Sequence, residues 1–333
     1  MWDTVLIVGA GGCTGRTVLD LIVSEKKAAK VVLTSRSGTL HGLPSSETVK
    51  IEVAALDMVD GAAEDLANLC EEVNPDIMFC CIGLKRYHIK AWGPSWPKIA
   101  DHLLLACQTA DVPLIFMDNM YAFGPEGMDN MPLRESGMDL TTSGVKTKPQ
   151  VRALITRKFL AASEAGEAKL AIVRASDFFG PHCDNSILSM LWSDVMKKKT
   201  PTFLGNPKKV HAQTYVPDIA RALILIAENP DTWGRAWHTP TQPDRVMTDW
   251  LRDIYRVVGR PRTGKLSYMC LDGFLMRALA LAIDDVDGLR DVVFMWRGDY
   301  TVSSEDFKAR FPDFEPTPLE DALQATNEWF ASR

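Results

Sequence analysis

Four glycines fall within the seven residues GAGGCTG (9–15), directly after the apolar run VLIV (5–8) and ahead of a segment with helical apolar spacing. Gly9, Gly12 and Gly15 form GxxGxxG, opening a helix at the end of a strand, and the chemistry of that arrangement is anion binding. Bare backbone permits a tight turn, lets a diphosphate touch the main chain and lets helix pack closely on strand, while the helix start offers unpaired N–H donors to the negative charge. Cys13 and Thr14 stand between the last two glycines and belong to the same cradle.

The second β-branched run ends in Thr34-Ser35-Arg36, about twenty residues after Gly15, where an NAD-selective site places a carboxylate on the ribose hydroxyls. Arg36 beside Ser35, backed by Arg16 just past the third glycine, pairs instead with a 2′-phosphate, so NADP(H) is expected over NAD(H). Asp57 ends the third run, where a carboxylate either accepts from an adenine amino group or makes a strand-end turn; both readings stand. The fourth run closes with Cys80-Cys81-Ile82-Gly83, and Cys81, Ile82 and Gly83 leave room there for ribose and diphosphate.

Positioning such residues takes a sheet. Short apolar runs alternate with helical patterns: VLIV (5–8), helix 15–29; VVLTS (31–35); KIEVAAL (50–56), helix 61–73; DIMFCCIG (76–83), helix 96–110; VPLIFMD (112–118), helix 149–165; KLAIVRAS (169–176). That rhythm predicts an α/β, doubly wound parallel-sheet Rossmann fold. It then breaks at Gly180-Pro181 and Gly205-Asn206-Pro207, with helices expected near 185–199, 215–229, 247–258, 270–283 and 318–331. Residues 1–176 with 210–240 are read as the NADP-binding domain. Residues 177–209 with 241–333 are read as a smaller, mainly helical, discontinuous substrate cap.

The 333 residues carry a net charge of −6, and the basic residues are scattered apart from Lys197-Lys198-Lys199, a solvated helix end. Nucleic acid and anionic membrane surfaces are thereby excluded as partners; a small-molecule substrate is expected. With no charge-free apolar stretch of about 18 residues, and Asp3 near the start in place of a basic leader, the chain reads as soluble and cytoplasmic. Seven cysteines, mostly in apolar runs and without CxxC pairing, read as reduced core residues. The histidines lack ligand spacing and IDDVDG (283–288) reads as an exposed loop, so no metal is expected.

GAGGCTG, the Asp57 strand end, FCCIG (79–83), MDNMYAFGP (117–125), VRASDFFGP (173–181), TYVPDIARAL (214–223) and PTPLEDAL (316–323) occur in that order. Together they resemble the extended short-chain dehydrogenase/reductase superfamily, in its NAD-dependent epimerase/dehydratase branch, over essentially the whole chain. The resemblance implies a catalytic Ser or Thr after the fifth strand and a YxxxK pair on the next helix. Asn119 holds the Ser/Thr place, Lys148 and Arg152 hold the places of Tyr and Lys, and no YxxxK exists in the chain, which makes it atypical.

Residues just after the Ser/Thr face the active site in dehydratases of that superfamily. The resemblance therefore implies that Tyr121 faces nicotinamide and substrate as proton donor, with Lys148 or Arg152 lowering its pKa. A Tyr packed under the cap is the plainer alternative. Arg152 is expected to donate to the nicotinamide ribose, Lys148 to be capable of base chemistry, Asp118 to fix its loop and Asn119 to serve the site. Phe178 is assigned to the cofactor; Asn119, Tyr121 and Phe179 to the substrate.

Five methionines between 117 and 138, Phe178-Phe179, Met190, Trp192, Met196 and FLMRALALAI (274–283) lie in cap-forming segments and suggest an apolar pocket. The expected activity is an NADP(H)-dependent oxidoreductase acting on a carbonyl or activated alkene of a small, fairly apolar molecule. A cofactor-dependent isomerase, epimerase or dehydratase without net redox change is the first alternative, and a non-catalytic NADP(H)-sensing protein the second. A homodimer through a helix pair is a further implication of the resemblance.

Overall fold

Val5, Leu6, Ile7 and Val8 are all 0% exposed, as a strand inside a parallel sheet with helices on both faces requires. The computed structural model describes residues 1–137, 143–273, 276 and 288–333. Strand β1 (Trp2–Val8) pairs in parallel with β2 (Ala28–Ser35) and β4 (Ile77–Cys80), and β2 with β3 (Lys50–Ala55). On the other side, β4 pairs with β5 (Leu114–Asn119) and β5 with β6 (Leu170–Ala175). With β10 (Ala236–His238) at the far edge the order is β10-β6-β5-β4-β1-β2-β3, a doubly wound Rossmann-type sheet.

One face of the sheet is covered by α1 (Cys13–Ser24) and α7 (Val216–Ala227), through Val18, Leu19, Ile22, Ile219 and Leu223. The other is covered by α2 (Glu64–Val73), α3 (Ile89–Ala110) and α5 (Lys148–Glu164), through Leu66, Trp96, Ile99, Leu103, Ile155 and Phe159. A third apolar cluster belongs to the second half of the chain. It joins α6 (Ile187–Met196), α8 (Met247–Val257) and the helix Leu319–Ala331 around Trp192, Trp250 and Leu323. Short strands β7 (Asp177–Phe179) and β9 (Gln213–Tyr215) pair in parallel beyond the end of β6. Asp218 ties the C-terminal segment to α7 by accepting from the Thr317 amide at 3.0 Å and its hydroxyl at 2.7 Å.

Several elements differ from the sequence expectation. Helix α1 ends at Ser24 instead of 29, because Lys26 takes a φ of +53° and β2 already begins at Ala28. Helix α3 begins at Ile89, seven residues ahead of the expected 96, with Pro94 and Pro97 inside it. Each imide removes an i→i−4 bond, but Trp92 and Trp96, 4% and 1% exposed, bury enough aromatic surface to carry the helix through. The helix expected at 270–283 starts as strand: Met269–Leu271 (β11) pairs with the open edge of β8 (Thr202–Leu204). Most of the remainder of that stretch, and most of IDDVDG, lies outside the described residues. Among the described residues no helix is long and apolar enough to cross a membrane.

Candidate active site

The glycines of the first turn divide by what surrounds them. Gly9 has a φ of +91°, and a Cβ there would stand 2.8 Å from the backbone of Cys81 and Ile82. A Cβ on Gly15 would stand 2.6 Å from the Gly9 carbonyl oxygen. The protein's own packing therefore demands both. Gly12 is different, since a Cβ there would meet only the Gly9 and Cys81 oxygens, at ordinary contact distances of 3.6 and 3.7 Å. Gly12 is also the N-cap of α1 and supplies no side-chain cap, so the first amide donors of Cys13, Thr14 and Gly15 are left to an outside acceptor. Gly83, at the carboxyl end of β4, has nothing within 4 Å of a would-be Cβ. A cradle that a side chain would fill, uncapped donors and a helix dipole fit the diphosphate of a nicotinamide dinucleotide.

Just past the glycine turn, Arg16 is engaged by the protein itself. Its Nε lies 3.1 Å from Asp20 Oδ1, and its guanidinium donates to the carbonyls of His41 and Gly42 in the connection from β2 to β3. Ser35 Oγ donates to the Thr39 carbonyl at 2.9 Å. Arg36 is exposed. Asp57 Oδ1 accepts from the amides of Val59 and Asp60 at 2.9 and 3.1 Å. Those two bonds, with the charge of Arg36 adding to them, hold its carboxyl below the ordinary range. Of the two readings of Asp57 the turn is present, and it is made by Oδ1.

The chemistry at the other end is built on β5 and α5. Lys148, Arg152 and Thr156 recur at i, i+4, i+8 on α5 and so share one face, aimed at the end of β5. Asp118, 1% exposed, stands between two guanidiniums: Arg152 Nη1 at 3.3 Å and Arg174 Nε at 3.5 Å. Arg174 also donates to Thr156 Oγ1 at 3.1 Å. The Arg152 guanidinium lies 3.7 Å over the Trp96 ring. Above this floor Asn119 Oδ1 accepts from the Tyr121 amide at 3.0 Å, fixing the turn that carries the Tyr121 ring. The Tyr121 hydroxyl shares a hydrogen bond with the hydroxyl of Tyr87. Lys148 Nζ sits 3.4 Å from the centroid of the Tyr87 ring and donates to the Gly288 carbonyl.

Two expectations are corrected by this geometry. Lys148 and Arg152 do not lower the Tyr121 pKa below its usual value. Burial, with the charge of Asp177 adding to it, pushes the phenol up, and the Tyr87 bond and the Arg152 charge oppose this without reversing it. Desolvating a phenolate outweighs the pull of an arginine already facing Asp118. Lys148 is directed instead at the Tyr87 ring and the Gly288 carbonyl. Phe179, expected beside the substrate, is 0% exposed and packs 5.2 Å from Trp250 and 5.5 Å from Tyr215 in the third apolar cluster. Trp192 is equally buried, stacked on Phe330, while Met190 is 48% exposed. Phe178 is half-buried against the α1–α7 side of the sheet.

The structure adds residues that sequence reading missed. Tyr87 follows β4, and Asp177 follows β6. His211 precedes β9, with its Nε2 2.5 Å from Asp177 Oδ2 and its ring stacked 3.5 Å from Trp296. Tyr300 lies 4.5 Å from the same imidazole. The Asp177 charge raises the phenols of Tyr87, Tyr121 and Tyr300 alike, below the dominant effect of burial in each case, and Asp177 stands two residues past Ala175, the β6 partner of Asn119. A signal existed: ligands of open α/β sheets sit outside the carboxyl ends of the strands, where Tyr87, Tyr121 and Asp177 all fall.

The model of the NAD dependent epimerase/dehydratase family matches residues 5–238. The chain belongs to that family. Among solved structures, similarity extends over the full length. A dTDP-glucose 4,6-dehydratase from Bacillus anthracis, in complex with NAD, superposes with a TM-score of 0.76 at 14% identity, covering 99% of this chain and 97% of that one. A UDP-N-acetylglucosamine 4-epimerase from Methanobrevibacter ruminantium gives 0.74 at 19% identity, with 100% and 99% covered. A UDP-glucose 4-epimerase from Thermotoga maritima gives 0.75 at 15%, with 99% of each chain covered. A search of curated proteins finds none that matches the chain. At these identities the likeness establishes the fold alone.

Proposed function

We propose that this family member is a nicotinamide dinucleotide-dependent oxidoreductase that reduces a carbonyl or activated alkene of a small, fairly apolar molecule, with NADP(H) as its cofactor. The observation that carries the reading is Tyr121: a phenol at the end of β5, hydrogen-bonded to Tyr87 and kept protonated by burial. Oxidising an alcohol needs a base, and reducing a carbonyl needs an acid; a protonated phenol is such an acid. Cofactor choice rests on Arg36, exposed at the end of β2 where a carboxylate would favour the unphosphorylated form.

In this reading the amides of Cys13, Thr14 and Gly15 hold the diphosphate over Gly12, and the bound dinucleotide supplies hydride chemistry. Asn119 orients Tyr121. Arg152 donates toward the nicotinamide ribose while Asp118 and Trp96 hold its guanidinium. Tyr87 shares its hydroxyl hydrogen bond with Tyr121, and the Lys148 ammonium lies over the Tyr87 ring.

The family and its structural relatives favour a second reading, an epimerase or dehydratase in which hydride leaves and returns. Mixing protein, NADPH and a panel of aryl and alkyl carbonyl compounds, and following nicotinamide absorbance, separates the two. A reductase consumes cofactor in proportion to product. Product formed without cofactor consumption would replace the oxidoreductase reading with the isomerase one.

A further inference from the structure

The end of β6 carries one carboxylate whose position the reduction chemistry does not explain. Asp177 begins β7, directly past the end of β6, with its backbone paired to Gln213 of β9. One of its oxygens, Oδ2, is held by His211 Nε2 at 2.5 Å. The imidazole cannot swing away, because it is 2% exposed, stacked on Trp296 with an interplanar angle of 16° and backed by Tyr300. The Asp177 side chain is 25% exposed, and its Oδ1 makes no hydrogen bond among the described residues. A fixed, partly open carboxylate thus stands just past the end of β6, two residues beyond Ala175, which pairs with Asn119 two residues ahead of Tyr121.

We infer that Asp177, held in place by His211, is a specificity-determining residue that turns away phosphorylated substrates and accepts a hydrogen bond from an O–H or N–H group of a neutral or cationic one. The inference rests on the proposed placement of the substrate beside Tyr121 and narrows the substrate class. A diphosphate brought against a fixed, partly desolvated carboxylate meets like charge, the repulsive element by which sites reject wrong ligands. A hydroxyl or amine meets an acceptor already oriented by a buried imidazole.

The test is calorimetry on the folded protein and on Asp177→Asn, Asp177→Glu and Asp177→Ser, each shown by thermal melting to be folded. Each is first saturated with NADP⁺ or NAD⁺, whichever binds, so that the dinucleotide cradle is closed to the probe. Failure of both dinucleotides to bind would overturn the proposed function and is read separately. UDP-glucose is then titrated as the probe. The expected result is no detectable binding to the wild type or Asp177→Glu, and binding at least about tenfold tighter to Asp177→Asn and Asp177→Ser. Equal behaviour of wild type and the neutral variants, whether both bind or neither does, would overturn the inference.

Discussion

The phenol oxygens of Tyr87 and Tyr121, residues 34 positions apart on the loops that follow β4 and β5, share one hydrogen bond. An acid at the end of one strand is thereby steadied by a neighbour from the next, with the Lys148 ammonium 3.4 Å from the Tyr87 ring. Tyr121→Phe should lower turnover by roughly 10²-fold or more while leaving dinucleotide affinity nearly unchanged. Tyr87→Phe should lower turnover by a smaller factor. Steady-state kinetics beside a fluorescence titration of NADPH checks both, and an unaltered rate for Tyr121→Phe would remove it from the mechanism.

The pH profile follows from the sign of the Tyr121 shift. The acid works in its protonated form, and its pKa lies above the ordinary tyrosine value of 10. Reduction should therefore be flat in Tyr121 ionisation through neutral pH and fall only on the alkaline side. Asp177→Asn should move that fall to lower pH, because a charge that disfavours the phenolate is gone.

Gly12 and Gly15 should separate cofactor binding from folding. Gly15→Ala places a Cβ 2.6 Å from a backbone oxygen and should destabilise by about 1–3 kcal/mol in denaturant unfolding. Gly12→Ala meets nothing closer than 3.6 Å and should melt like the wild type, yet lose most dinucleotide affinity. A Gly12→Ala protein that binds NADP⁺ normally would show that the cradle is not used.

Arg36→Ala should weaken NADPH binding far more than NADH binding, since the exposed guanidinium is placed to meet a 2′-phosphate. Arg16→Ala should instead weaken both to a similar degree, because Arg16 braces the loop at His41 and Gly42. Paired titrations of the two cofactors measure the ratio, and an unchanged ratio for Arg36→Ala would assign phosphate selection elsewhere.

Asp118→Asn should cost about 3–5 kcal/mol in unfolding free energy, because Arg152 and Arg174 are then buried around a site that has lost its negative charge. The effect belongs to stability, read by denaturant titration. Arg152→Met combined with Asp118→Asn should cost less than the two single changes summed.

Local pattern alone determined the strand–turn–helix opening, the parallel sheet and the cradle of Gly9, Gly12 and Gly15. These depend on residues close in the chain, whose backbone needs are visible in their types. It also drew attention to Tyr121, Asn119, Lys148 and Arg152, all of which the fold brings to one sheet edge.

What tertiary structure alone decided was how those groups act on each other. Lys148 is directed to Tyr87 and Gly288, 61 and 140 residues away in the chain, and so cannot tune Tyr121 as its helical position suggested. Asp177 and His211 lie 34 residues apart and meet because β7 and β9 pair beyond the sheet. Phe179 and Trp192 carry the composition of a pocket lining but lie inside the third apolar cluster, since an apolar side chain records that it leaves water and not which partner it leaves water for. Burial raises Tyr121, and burial is a sum over distant segments that no spacing along the chain reveals.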